Sequence, residues 1–144
     1  MKFFVYSRYA IEAIQPHDVP HIIVSISTPP DEEANIRMND KTLGILRLWF
    51  FDRDTPTGEA SKDLESFLFM PTHADQILDL VAAHPTAEHF IVHCDAGISR
   101  SSAIAAAISK ITCGDDSEYF HGCRYHPNRR VYRGILEAHA RRTE

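Results

Sequence analysis

Short β-branched and aromatic runs alternate along this chain with longer stretches of helical period. Lys2 to Ser7 (KFFVYS) and His21 to Ser27 (HIIVSIS) are continuous runs of strand length. Ala10 to Ala13 predicts a short helix between them, and Thr28-Pro29-Pro30-Asp31 breaks the second strand. Leu43 to Phe51 (LGILRLWFF) predicts a third strand that runs into Asp52-Arg53-Asp54-Thr55-Pro56. A helix is expected from Pro71-Thr72, with Thr72 as N-cap and Asp75 three residues on. Ile77, Leu78 and Val81 form its apolar face, and His84-Pro85 closes it. Phe90 to His93 reads as a short buried strand, followed by a tight loop from Cys94 to Arg100. An alanine-rich helix over Ser101 to Ile111 is ended by Gly114. Asp115 to Phe120 predicts a helical turn or two with Ser117 as candidate cap. Pro127 and Asn128 open a last helix through Tyr132, Ile135, Leu136 and His139.

Short buried strands alternating with helices predict an α/β fold, with a central, mostly parallel sheet flanked by helices. The 144 residues suit a single domain over 1–144 with one core. No repeat, linker or low-complexity tract interrupts it. With 44% hydrophobic and 24% charged residues, the chain is not of a disordered class. A net charge of −5 gives no general attraction to nucleic acid or an acidic membrane, and neither is expected as a partner. The charge is uneven, however: Arg124, Arg129, Arg130, Arg133, Arg141 and Arg142 crowd the last stretch. They read as a solvated helix face, or as a basic rim that attracts phosphorylated substrates. No signal peptide and no bilayer-length apolar run is present, which points to a cytoplasmic location. The three cysteines, Cys94, Cys113 and Cys123, are an odd number and form no disulfide framework or zinc spacing. Cys113 is expected in the core, and Cys123 in a structural role. Trp49, Phe50 and Phe51 read as core rather than as a substrate platform.

The chemistry is concentrated in His93-Cys94-Asp95-Ala96-Gly97-Ile98-Ser99-Arg100-Ser101. A strand precedes this segment and a helix follows it. A loop so placed turns successive amides inward as an anion nest, and the helix adds its positive N-terminal end. Gly97 allows the backbone its close approach, and Arg100 offers a planar fork to two phosphate oxygens. The same field favours the thiolate form of Cys94. Thiolate and guanidinium converge on one oxyanion-sized site. The implied chemistry is in-line attack of sulfur on phosphorus, giving a phosphocysteine that water hydrolyses.

This H-C-x-x-G-x-x-R-S loop resembles the signature of the protein tyrosine phosphatase superfamily, most of all its compact dual-specificity-like branch with its bacterial relatives. The resemblance spans roughly residues 43 to 138. It takes in the strand before Asp52 and the segment Tyr125-His126-Pro127-Asn128-Arg129. It implies Cys94 as nucleophile and Arg100 as binder of the phosphoryl group. The amides of Asp95, Ala96, Gly97, Ile98, Ser99 and Arg100 would cradle the phosphoryl oxygens. Ser101 would help the thiolate depart in the second step, and His93 would support the loop. The resemblance also implies a general acid from an aspartate on a separate loop. Asp52 is preferred because it follows a strand. Asp54 is the alternative and Asp63 a further one, and an insertion is expected near 55–70.

The resemblance implies no metal or organic cofactor. Phosphate, sulfate or vanadate should bind the loop. The substrate would be a phosphorylated protein or a small phosphomonoester, phosphotyrosine first, with phosphoserine and phosphothreonine as further candidates. A phosphate- or phosphopeptide-binding module without turnover, an RNA 5′-triphosphatase and an arsenate reductase or sulfur transferase are the alternatives. Asp95 places a carboxylate in the loop. That charge disfavours multiply phosphorylated substrates, with its side chain expected to point outward.

Overall fold

The computed structural model describes residues 1–53 and 67–143. Four strands, β1 (Lys2–Tyr6), β2 (His21–Ser27), β3 (Thr42–Trp49) and β4 (His89–His93), form one sheet in the order β1-β4-β2-β3. All three pairings are parallel, with Val5 opposite Val92, Val24 opposite Val92, and Val24 opposite Leu46. The helices are α1 (Arg8–Ala13), α2 (Pro71–Ala83), α3 (Arg100–Cys113), α4 (Ser117–Phe120) and α5 (Arg129–Arg142).

Every residue of β2 is buried, as a central strand covered on both faces requires. Its alternate side chains go opposite ways. Ile22, Val24 and Ile26 join Phe90 and Val92 in the larger core, under α2, α3 and α5. Ile23 and Ile91 join Ile11, Ala34 and Ile36 on the other face, beside α1. The alanine-rich helix packs closely: Ala103, Ala105, Ala106 and Ala107 are wholly buried on α3.

Several local expectations need correction. The third strand stops at Trp49 rather than Phe51. The Phe50 amide still donates to Ser27 O, but the Phe50 carbonyl accepts from Arg100, and the Phe51 amide turns to Phe67 O. Of the three aromatics there, Phe50 is core, Phe51 is half-buried and Trp49 is exposed. Met70, not Thr72, caps α2: Pro71 takes the first helical position, and His73 Nδ1 accepts from the Met70 amide at 2.9 Å. Asp116 is the N-cap of α4, which makes Ser117 its first residue. The alanine-rich helix begins at Arg100 and reaches Cys113, where Gly114 ends it in the left-handed region. Cys113 is exposed rather than core, and Cys123 is also exposed. Both lie where the chain leaves the packed layers, so neither thiol is needed for packing.

Candidate functional site

The carboxyl ends of parallel strands, where chain after chain turns outward, are where such sheets assemble sites. Here the segments after β2, β3 and β4 converge with the N-termini of α3 and α5. The segment after β4 is the cysteine loop. Cys94 is buried at its base, with Sγ 3.1 Å from Ser101 Oγ and accepting from the Gly97 amide at 3.3 Å. Gly97 has φ +73°, and a Cβ there would lie 2.7 Å from the Ser7 amide and 2.8 Å from the Tyr6 carbonyl carbon. The loop is thus pressed onto the corner between β1 and α1, and Asp95 O accepts from the Arg8 amide at 3.0 Å.

Arg100, the first residue of α3, is buried and held on three sides. Nη1 donates to Phe50 O at 2.8 Å and to Thr28 Oγ1 at 2.9 Å. Nη2 pairs with Asp95 Oδ2 at 3.0 Å. Nε is buried and has no hydrogen-bond partner among the described residues. A buried guanidinium NH without an acceptor is costly, and an anion in the loop would supply one. Asp95 is exposed, as expected, but its carboxylate is not free. Its carboxylate turns onto Arg100 and accepts from Thr28 Oγ1 at 2.6 Å. Burial alone would raise its pKa, but the Thr28 and Arg100 hydrogen bonds outweigh that and hold it below the usual aspartate range.

His93 lies beneath the loop, fully buried. Its Nε2 is 2.6 Å from Ser25 Oγ, and its Nδ1 is 3.2 Å from Cys94 O. Arg47 donates to the same Ser25 hydroxyl and to Ala34 O. Desolvation pushes the imidazole below the usual histidine range, while the bond to the Cys94 carbonyl acts against it. Neutral His93 can therefore donate from Nδ1 to that carbonyl and accept the Ser25 hydroxyl at Nε2.

Asp52 reaches the other side of the loop. Its Oδ1 accepts from Ser99 Oγ at 2.8 Å and from Asn128 Nδ2 at 2.9 Å. Asn128 is also the N-cap of α5: its Oδ1 accepts from the Val131 amide, and its own amide donates to Ser99 O. One side chain thus ties Asp52, the cysteine loop and the last helix together. The His126 amide adds a bond to Ile98 O, and Ser102 Oγ donates to the same carbonyl. The alternatives Asp54 and Asp63 lie outside the described residues, as does most of the expected insertion.

Cys94, Asp95, Gly97, Arg100, Ser101 and Asp52 are thus gathered at the carboxyl end of the sheet, with His93 behind them. Sequence reasoning missed Thr28, Ser25, Arg47 and the Phe50 carbonyl, and placed Asn128 at a helix start and in the family-like segment without giving it a role toward Asp52. Its signals were the capping preference of asparagine and its place in that segment. Nothing in the local sequence marks Thr28, which lies 72 residues from Arg100.

No family model matches the chain, and no curated protein matches it. Solved structures do. That of a human tyrosine phosphatase-like serine/threonine/tyrosine-interacting protein matches with a TM-score of 0.53 and 19% identity, covering 88% of this chain and 80% of that one. That of PTPMT1 in complex with PI(5)P matches with a TM-score of 0.51 and 16% identity, over 88% of this chain and 80% of the other. At such identities the likeness is one of fold. The chain shares with both the fold of a parallel sheet flanked by helices.

Proposed function

From that fold as premise, we propose that the chain hydrolyses phosphomonoesters through a phosphocysteine intermediate. The observation that carries the reading is the pairing of a buried Cys94 sulfur with a buried Arg100. The arginine is clamped at both terminal nitrogens, and its Nε has no partner among the described residues. The clamp pre-orients a guanidinium toward an oxyanion, so that little reorganisation accompanies the reaction.

In the first step the Cys94 thiolate attacks phosphorus and the P–O bond to the leaving group breaks. Asp52, protonated on the oxygen that does not bond Ser99 and Asn128, delivers its proton to the departing oxygen. In the second step the Asp52 carboxylate takes a proton from water as the water oxygen attacks phosphorus. The S–P bond breaks, the Ser101 hydroxyl stabilises the returning thiolate across the 3.1 Å contact, and inorganic phosphate leaves. Asp52 is the general acid in this reading, because Ser99 and Asn128 hold it at the loop. The substrate is phosphotyrosine first, with phosphoserine and phosphothreonine admitted. The exposed Ile98 side chain on the loop offers an apolar edge to an aryl ring.

The test is p-nitrophenyl phosphate turnover in EDTA by wild type and Cys94→Ser, with vanadate as inhibitor. Turnover that vanadate blocks and the substitution abolishes is the expected result. Vanadate binding without turnover in reduced, folded protein would make the chain a phosphate-binding module instead.

A further inference from the structure

The arginine-rich last helix does not have one uniform charged face. Arg142 is compensated: it pairs with Asp79 at 2.8 Å and Asp75 at 3.3 Å, both on α2. Arg133 and Arg141 are exposed and have no ion-pair or hydrogen-bond partner among the described residues. They open instead into a groove of about 580 Å³ between α5 and the start of α2, which Arg129 and Arg130 also line. Arg129, Arg133, Glu137 and Arg141 follow one another at four-residue intervals, so they form a single stripe along the helix. The groove has an apolar floor. Phe69 lies against Gly134, where a Cβ would come within 3.0 Å of the ring. Glu137 is the one carboxylate among the described lining residues.

The groove begins beside the cysteine loop. Asn128, which holds Asp52, directly precedes Arg129. From there to Arg141 the helix rises about 18 Å, which an extended peptide covers in about five or six residues.

We infer that this groove binds an acidic polypeptide segment flanking the phosphorylated residue, making the substrate a protein phosphorylated within an Asp- or Glu-rich stretch. The identity of the phosphorylated partner rests on the phosphatase reading above, whereas the binding of acidic peptide does not. Arg133 and Arg141, without an ion-pair partner among the described residues, attract carboxylates set beside them. The apolar floor accommodates the aliphatic stems and apolar side chains of a peptide. The chain's overall charge of −5 opposes an extended polyanion or an anionic membrane far more than a short segment confined to the groove.

The experiment compares kcat/KM on two tyrosine-phosphorylated peptides. One carries glutamates three to six positions to either side of the phosphotyrosine, and the other carries glutamines there. The ratio of the two constants is its own control for folding and for chemistry at the loop. In wild type at low ionic strength the ratio should be about tenfold, the scale of two or three surface ion pairs. It should fall toward one in 0.5 M salt. Arg133→Ser/Arg141→Ser should bring it close to one, and Glu137→Gln should raise it above wild type. A wild-type ratio near one, or a ratio unmoved by both variants, overturns the inference. So does a wild type that ignores the glutamates yet sediments with phosphatidylserine vesicles through Arg133 and Arg141, since the occupant would then be a membrane.

Fluorescence anisotropy of the unphosphorylated glutamate peptide on Cys94→Ser protein separates the two readings. Binding lost in the Arg133→Ser/Arg141→Ser background supports the groove even if p-nitrophenyl phosphate is never turned over. No binding, with p-nitrophenyl phosphate hydrolysed normally, leaves the phosphatase and removes the groove.

Discussion

Arg100 spends three hydrogen bonds on the protein before any substrate arrives, and one of them goes to a carboxylate. Asp95 orients the guanidinium but also offsets part of its charge. Replacing it with asparagine keeps the shape and removes the charge. Asp95→Asn should therefore bind inorganic phosphate several-fold more tightly, read as the inhibition constant for p-nitrophenyl phosphate turnover. Weaker binding would mean that the ionic clamp matters more than the local charge. Asn128 acts on Asp52 in a comparable way. Asn128→Ala removes an N-cap, at about 1 kcal/mol of stability, together with a hydrogen bond to Asp52 Oδ1. Asp52→Ala should depress turnover of alkyl phosphates far more than of aryl phosphates with acidic leaving groups, because only the former need the proton. Asn128→Ala should show the same leaving-group bias more weakly. Equal losses on both substrate types in Asp52→Ala would discard Asp52 as the acid.

At the scale of elements, the cysteine loop depends on a neighbour distant in sequence. β4 delivers Cys94 and α3 delivers Arg100, but the corner between β1 and α1 sets how tightly the loop turns. At Gly97 a side chain meets both obstacles at once: a left-handed φ of +73° and the backbone of Tyr6 and Ser7. Gly97→Ala must either open the loop or push away the start of α1, whose N-cap is Ser7. Moving the sulfur and guanidinium apart by even about 1 Å costs about a hundredfold in rate. The expected outcome is that loss in p-nitrophenyl phosphate turnover together with a lower urea midpoint. Wild-type activity in Gly97→Ala would show that the corner yields freely. Gly114 gives a contrast within the same helix, because its positive φ ends α3 in open space.

For the whole molecule, histidines link stability to pH. His17 Nδ1 lies 2.8 Å from His89 Nδ1, a contact with room for one proton, and His17 Nε2 bonds the Tyr6 hydroxyl. Desolvation, then mutual repulsion with His89 and His21, lowers the pKa of His17. Desolvation followed by repulsion from Lys2 lowers that of His89, and burial lowers those of His73 and His93. In each case the unfolded chain takes up the proton first. The stability these groups permit is therefore complete above the unfolded value of about 6.5 and is lost as pH falls through the lower folded values. Asp95, also held low, contributes a second loss only below about pH 4, the unfolded aspartate range. The urea midpoint should drop between pH 7.5 and 5.5, and His89→Asn should shrink that drop. An equal midpoint at both pH values would refute the linkage.

Strand and helix identity was legible because β2 and β4 are continuous apolar runs, and α3 is too rich in alanine to be a strand. The cysteine loop was legible because Cys94, Gly97, Arg100 and Ser101 are close in sequence, and their spacing is itself the geometry. The end of β3 and the cap of α2 were not. The end of β3 depends on a distant group, Arg100, at the Phe50 carbonyl, whereas the cap of α2 turns on the nearby His73 accepting the Met70 amide, a less common cap than Thr72 would have been. Asp95 is exposed as expected, but the engagement of one carboxylate oxygen by Thr28 and Arg100 was not legible, because Thr28 is distant in sequence. Local pattern determined the elements and the reactive pair, because burial periodicity and short-range spacing are properties of the chain itself. Only the tertiary structure decided the clamp on Arg100, the tether on Asp52 and the pairing of Arg142 with α2. Hydrogen bonds and ion pairs between residues 5 to 76 positions apart exist only once the strands have stacked in parallel.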